Sequence, residues 1–146
     1  MENNERKSQQ IDRLLEVMRI LRDPIKGCPW DKEQSFASVA PYTIEEAYEV
    51  EDAIRKQDFG ELKEELGDLL LQVVFHSQIA AEIGLFDFDQ VVMNVCEKMI
   101  SRHPHVFQES EERDVQSQGE SWELQKANER KQKSVDQGRQ PKALEN

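Results

Sequence analysis

Two short acidic runs hold the residues best suited to chemistry: Glu45-Glu46-Ala47-Tyr48-Glu49 and Glu65-Leu66-Gly67-Asp68. Both fall in segments whose apolar residues recur at helical spacing. On a helix, residues three or four apart share a face. Glu46 and Glu49 therefore continue into Val50 and Ala53 as one stripe, and Glu65 interrupts a second stripe of Leu62, Leu66, Leu69 and Val73. Carboxylates on core-facing stripes are costly unless something positive meets them. Four convergent carboxylates suit a hard divalent cation such as Mg²⁺, and a cation so held commonly serves phosphate chemistry. In a chain this acidic, a solvated acidic face is the plain alternative.

The competing metal reading is a di-iron carboxylate bundle, which needs Glu-x-x-His on two helices. No Glu-x-x-His occurs in this chain. All-oxygen ligation favours Mg²⁺, with Mn²⁺ as a substitute, over iron or zinc. Lys98 and Arg102 lie in line with Val91 and Val95. They read either as phosphate contacts or as cations extending from the edge of an apolar stripe. His103 and His105 read as loop residues after a helix stop, and His76 as a hydrogen-bonded core histidine. Trp30 and Trp122 could each stack on a base or anchor structure. A glycine-rich phosphate loop is missing.

Positioning these groups requires an all-α fold. A first helix is expected over about Ser8 to Arg22, then a shaped loop from Asp23 to Ser38 rich in proline and glycine. The second helix should start at Pro41, tolerated in a first turn, or behind Thr43 as N-cap with Glu46 completing a capping box, and run to Lys56. A third spans about Gly60 to Ile83 with Gly84 just past its end. The turn near Gly60 is short, so these two helices should pack antiparallel and bring their acidic positions together. Asp87 or Asp89 should cap a fourth helix over about Phe88 to Arg102, stopped by Pro104. We expect one domain over residues 1–136, with a core at about 8–107, a loop from Gln108 to Gln118 and an outer helix at about 118–135. A flexible tail over 137–146 follows.

The 146 residues include 30 acidic and 19 basic ones, a formal net charge of −11. That balance argues against a nucleic-acid binder, which needs a basic face, and against docking on an anionic membrane. A polyanionic substrate stays compatible if a cation mediates. Cys28 and Cys96 lack the spacing of a zinc site or a disulfide framework. No signal-peptide core leads the chain, and Leu69–Phe86 is too polar to span a bilayer. A cytoplasmic protein is the expectation.

The acidic runs, with the stretches CPWDKEQSFASVAPYTIEEAYEV, ELGDLLLQVVFHSQIA and RHPHVF, resemble the MazG family of nucleoside triphosphate pyrophosphohydrolases. The family signature, Glu-Glu-x-x-Glu followed by Glu-x-x-Asp, is matched in full, and the resemblance covers roughly Leu14 to Lys126. It implies an all-α bundle completed by dimerisation, or by a higher homo-oligomer. It also implies Mg²⁺-dependent hydrolysis of a nucleoside triphosphate to the monophosphate and pyrophosphate, with a house-cleaning role in the nucleotide pool. By motif position Glu46, Glu49, Glu65 and Asp68 are the implied metal ligands. Glu45 would orient or deprotonate water beside Glu46 and Glu49. Lys98 and Arg102 match the phosphate-contacting positions, and Trp122 and Lys126 are the implied nucleotide-side contacts. Many members carry two such domains in tandem. This chain resembles the first and ends near a Gly-Arg-Gln-Pro stretch that reads as a linker, so a non-catalytic dimerisation or regulatory module of a larger protein is the alternative.

Overall fold

The computed structural model describes residues 2–108 and 115–137, with side chains over 9–108 and 122–133. Its elements are α1 (Glu2–Leu21), α2 (Pro29–Lys32), α3 (Phe36–Lys56), α4 (Phe59–Glu82), α5 (Phe88–Arg102), α6 (Pro104–Phe107) and α7 (Val115–Gln137). No strand occurs among the described residues. By contacts the chain divides into two compact units, residues 1–91 and residues 92 onward.

In the first unit α3 and α4 pack along their length and α1 lies against α4. Ser35 and Ser38 form the reciprocal capping box that starts α3. The Ser38 N–H donates to Ser35 Oγ at 3.2 Å and the Ser35 N–H to Ser38 Oγ at 2.8 Å. The helix therefore begins at Phe36, before both expected starts, and Pro41 lies inside it. With the free N–H groups of the first turn already satisfied, the helix continues through the proline at the loss of one backbone hydrogen bond. Thr43 is not a cap, and its hydroxyl turns toward α4. At the other end Arg55 and Lys56 complement the helix dipole and Gln57 takes the left-handed conformation at φ 57°. Asp58 then accepts from the Glu61 N–H at 3.0 Å and starts α4. Two residues thus reverse the chain, and α3 and α4 run antiparallel as expected.

α4 closes with a Schellman motif. The Leu85 N–H donates to Ala80 O at 2.9 Å and the Gly84 N–H to Ala81 O at 3.2 Å, with Gly84 at φ 74°, where a side chain would be strained. Asp87 and Gln90 then cap α5 reciprocally at 2.9 and 3.0 Å. The core is Met18, Val39, Val74, Phe75 and Ile79, with Leu14, Leu15, Phe36, Leu71 and Phe88 packed against it.

The segment between α1 and α3 is shaped, as its prolines suggested, and includes the unexpected α2. Its anchor is Arg22, whose side chain is buried. Its guanidinium donates to Asp31 O at 2.6 Å, to Gln34 O at 3.2 Å and to both carboxylate oxygens of Glu82 at 2.8 and 2.9 Å. A Cβ on Gly27 would sit 2.4 Å from the carbonyl oxygens of Leu21 and Asp23, so this turn needs glycine.

The second unit takes in the rest of α5, then α6 and α7. Pro104 ends α5 and opens α6 as its first residue, a position that needs no N–H. α1 starts earlier than expected, at Glu2, and α7 starts at Val115. The remainder of the expected loop, 109–114, and the tail from 138 lie outside the described residues. Among the described residues no helix is long and apolar enough to cross a membrane.

Candidate metal centre

The antiparallel hairpin sets Glu46 and Glu49 of α3 against Glu65 of α4. One carboxylate oxygen from each lies within 4.8 Å of the others. All three side chains are half-buried. Glu46 Oε2 and Glu65 Oε2 are out of solvent and accept no hydrogen bond. An unpartnered buried carboxylate oxygen is costly, and carboxylates facing one another supply no donor unless one carries a proton.

The electrostatics follow from that geometry. Glu65 is pushed up to about 7, first by sharing its proton with Glu49, then by burial, then by repulsion from Glu49 and the same two effects from Glu46. Glu46 is also raised, chiefly by burial and then by the charges of Glu49 and Asp68. Without metal, Glu65 therefore holds a proton more readily than an ordinary carboxylate does. A small divalent ion could take its place, since two oxygens on one Mg²⁺ stand about 3 to 4 Å apart. The donor set is all oxygen, and the orphaned Glu46 and Glu65 oxygens lack what such an ion provides, so these residues fit Mg²⁺ or Mn²⁺.

Asp68 is exposed and outside the three-glutamate group, though its charge is felt at Glu46. Glu45 is exposed on α3.

In the second unit Arg102, Trp122 and Lys126 come together. The Arg102 guanidinium lies 5.1 Å from the centre of the Trp122 ring and Lys126 Nζ 5.4 Å from it. Arg102 is paired with Glu129 on α7 through Nη2 and Oε2, and through Nε and Oε1 at 3.3 Å. Arg102 holds the Glu129 carboxyl below its ordinary range, and Lys98 adds to the effect. The His103 ring meets Trp122 edge-on at 5.1 Å and donates from Nδ1 to Met99 O at 2.6 Å. Sequence reasoning missed Glu129 and the packing of His103. A glutamate 27 residues from its arginine, on a helix with few apolar residues, leaves no spacing to read.

A helical hairpin whose seam gathers unpaired carboxylates defines an all-α protein with an acidic centre. The family follows from comparison. The model of the MazG nucleotide pyrophosphohydrolase domain matches residues 34–107, and the chain belongs to that family. It is 54% identical over 125 residues to the nucleoside triphosphate pyrophosphohydrolase of Escherichia coli (strain K12), a match covering 86% of this chain and 48% of that one. It is 50% identical over 99 residues to the nucleoside triphosphate pyrophosphohydrolase/pyrophosphatase MazG of Thermotoga maritima, covering 68% of this chain and 38% of that one. The chain thus spans about half the length, or less, of these curated relatives. Among solved structures it resembles the mazG-related protein from Thermotoga maritima, with TM-score 0.65, 29% identity, and 80% of this chain and 98% of that one covered.

Proposed function

We propose that the chain hydrolyses nucleoside triphosphates to the monophosphate and pyrophosphate with Mg²⁺, serving to clear the nucleotide pool of a cytoplasm. The observation that carries this reading is the seam of Glu46, Glu49 and Glu65 with its two orphaned buried oxygens. Glu46, Glu49 and Glu65 would hold the cation from two helices, with Asp68 joining from the rim. Mg²⁺, or Mn²⁺ in its stead, supplies charge neutralisation of the triphosphate and polarisation of the reacting phosphoryl group. Glu45, on the same turn of α3, orients the attacking water and takes its proton. The water oxygen joins phosphorus, the bond between the α- and β-phosphates breaks, and pyrophosphate leaves. Arg102 and Lys98 offset charge on the phosphates, and Trp122 with Lys126 meets the nucleoside.

A second copy of the chain would complete the bundle. Ile44 and Tyr48 of α3, and Leu66, Leu70 and Val73 of α4, are exposed, and apolar faces of this kind are usual where a partner docks. One domain spanning residues 1–136 remains the organisation we favour.

The test is a panel of canonical, deoxy and damaged nucleoside triphosphates with Mg²⁺, read by pyrophosphate release. Light scattering on the same preparation should report twice the chain mass. We expect release with at least one nucleotide, and its loss in Glu46→Gln with the helical circular dichroism unchanged. Silence across the panel would instead favour a non-catalytic module of a longer protein.

A further inference from the structure

One half-buried polar group beside the seam has no part in the chemistry above. Thr43 Oγ1, on α3, lies 3.0 Å from Gln72 Oε1 and 2.9 Å from His76 Nε2, both on α4. Val39 O, within α3, is farther away at 3.4 Å. Gln72 is buried at 8% exposure, and the His76 ring stacks on Phe36 at 5.9 Å. A threonine hydroxyl has one proton to give. With the Gln72 carbonyl facing it, that proton goes to Oε1 and the lone pairs accept from His76 Nε2–H. Three side chains thus bridge the two helices through one hydroxyl.

The location gives the bridge its meaning. Thr43 stands three residues before Glu46 on α3, about one turn away, and Gln72 seven residues after Glu65 on α4, about two turns away. At the opposite end of the seam, the turn at Gln57 and Asp58 already ties the helices covalently. Between the two ties, like charges face each other and push α3 from α4. Apolar packing resists separation but permits sliding, whereas directional hydrogen bonds fix register.

We infer that Thr43, Gln72 and His76 form a latch that sets the register of α3 against α4, and thereby pre-organises Glu46, Glu49 and Glu65 to bind a divalent cation. These are positioning residues: none is a ligand, and each acts through the carboxylates. The inference rests on the metal-centre reading above. Loss of outer partners that orient ligands typically weakens metal binding about 10- to 100-fold.

The experiment is Mn²⁺ binding to the nucleotide-free chain at 25 °C, followed by electron paramagnetic resonance, with melting temperatures taken separately in chelator. Thr43→Val removes the hydroxyl at nearly constant shape and should weaken Mn²⁺ about tenfold. Thr43→Ser keeps the hydroxyl and should stay within about twofold of wild type. A purely structural threonine would lower the melting temperature in chelator without changing Mn²⁺ affinity well below it. Wild-type affinity in Thr43→Val overturns the latch and leaves the metal centre standing. So does a tenfold loss in a folded Thr43→Ser, which keeps the fold question separate should the valine variant not fold. A wild-type chain that binds no Mn²⁺ overturns the latch and the metal centre together.

Discussion

At the α3–α4 seam, Glu46, Glu49 and Glu65 face one another, and no lysine or arginine among the described residues is paired with any of them. Around Trp122 the arrangement is reversed: Arg102 already holds Glu129, and Lys126 Nζ lies 3.5 Å from Glu123. The first group is short of positive charge and must import it, as a proton or as a metal ion. The second is internally balanced, so an incoming phosphate has to compete with a carboxylate already in place. The seam should therefore respond to pH and metal, and the Trp122 cluster to competing anions and salt.

The largest effect expected comes from breaking the seam's shared proton. Because the folded chain raises Glu65 to about 7 from an ordinary 4.5, it binds that proton more tightly than the unfolded chain does. The stabilisation is fully present below about pH 4.5 and is lost as pH rises through about 7. In chelator the melting temperature should fall between pH 5 and 8. Added Mg²⁺ should reverse that slope, since the cation competes with the proton and binds better once it has left. Glu65→Gln should flatten the chelator slope, abolish the Mg²⁺ response and lower turnover at least about a hundredfold, the scale of several kcal/mol of lost transition-state stabilisation. Identical chelator slopes in wild type and Glu65→Gln would show that Glu65 does not hold the proton.

How much of this could be read from residues alone divides along the same line. Glu46, Glu49 and Glu65 were legible because helical spacing fixes a face and a short turn fixes an antiparallel partner. The end of α4 and the start of α5 were legible too, since Gly84 and Asp87 act through local backbone chemistry. The start of α3 was misread. Pro41 and Thr43 both look like first-turn residues, but the Ser35–Ser38 box acts upstream of them, and a serine pair is a less obvious box than threonine with glutamate. That misreading hid the latch, because a threonine assigned to a cap is not sought in a helix–helix contact. The Arg22 anchor and the Arg102–Glu129 pair were not legible, being contacts across 60 and 27 residues that no local pattern encodes.

A smaller effect is expected at the balanced cluster. Arg102 is mostly buried, with 13% of its side chain exposed, and contacts Glu129 and the Trp122 face at once. If it meets phosphate during turnover, it must exchange one charged partner for another, and the net gain is less than that of a free guanidinium. Arg102→Ala should lower kcat/KM about 10- to 100-fold, corresponding to roughly 1.5–3 kcal/mol for a charge-assisted hydrogen bond. Arg102→Lys should recover only part of this, since an ammonium lacks the planar fork that pairs with a carboxylate or phosphate. A lysine variant with full activity would mean that charge alone matters at this position.

The smallest effect belongs to Lys126, and it sharpens the contrast within the cluster. Its side chain is 38% exposed, its carboxylate neighbour Glu123 is 69% exposed, and its ammonium sits 5.4 Å from the Trp122 ring centre. Exposed pairs of this kind contribute little, because water and salt screen them and holding two long side chains costs entropy. A partly exposed cation over an aromatic ring adds a modest attraction. Lys126→Ala should therefore raise KM for the nucleotide by no more than about threefold while leaving kcat unchanged. The difference from wild type should shrink further in 0.5 M salt, a condition chosen to bring the Debye length to about 4 Å. The same salt should change the Arg102→Ala deficit much less, because that guanidinium is largely shielded from solvent. Equal salt sensitivity in the two variants would place both cations in open water and remove the distinction drawn between them.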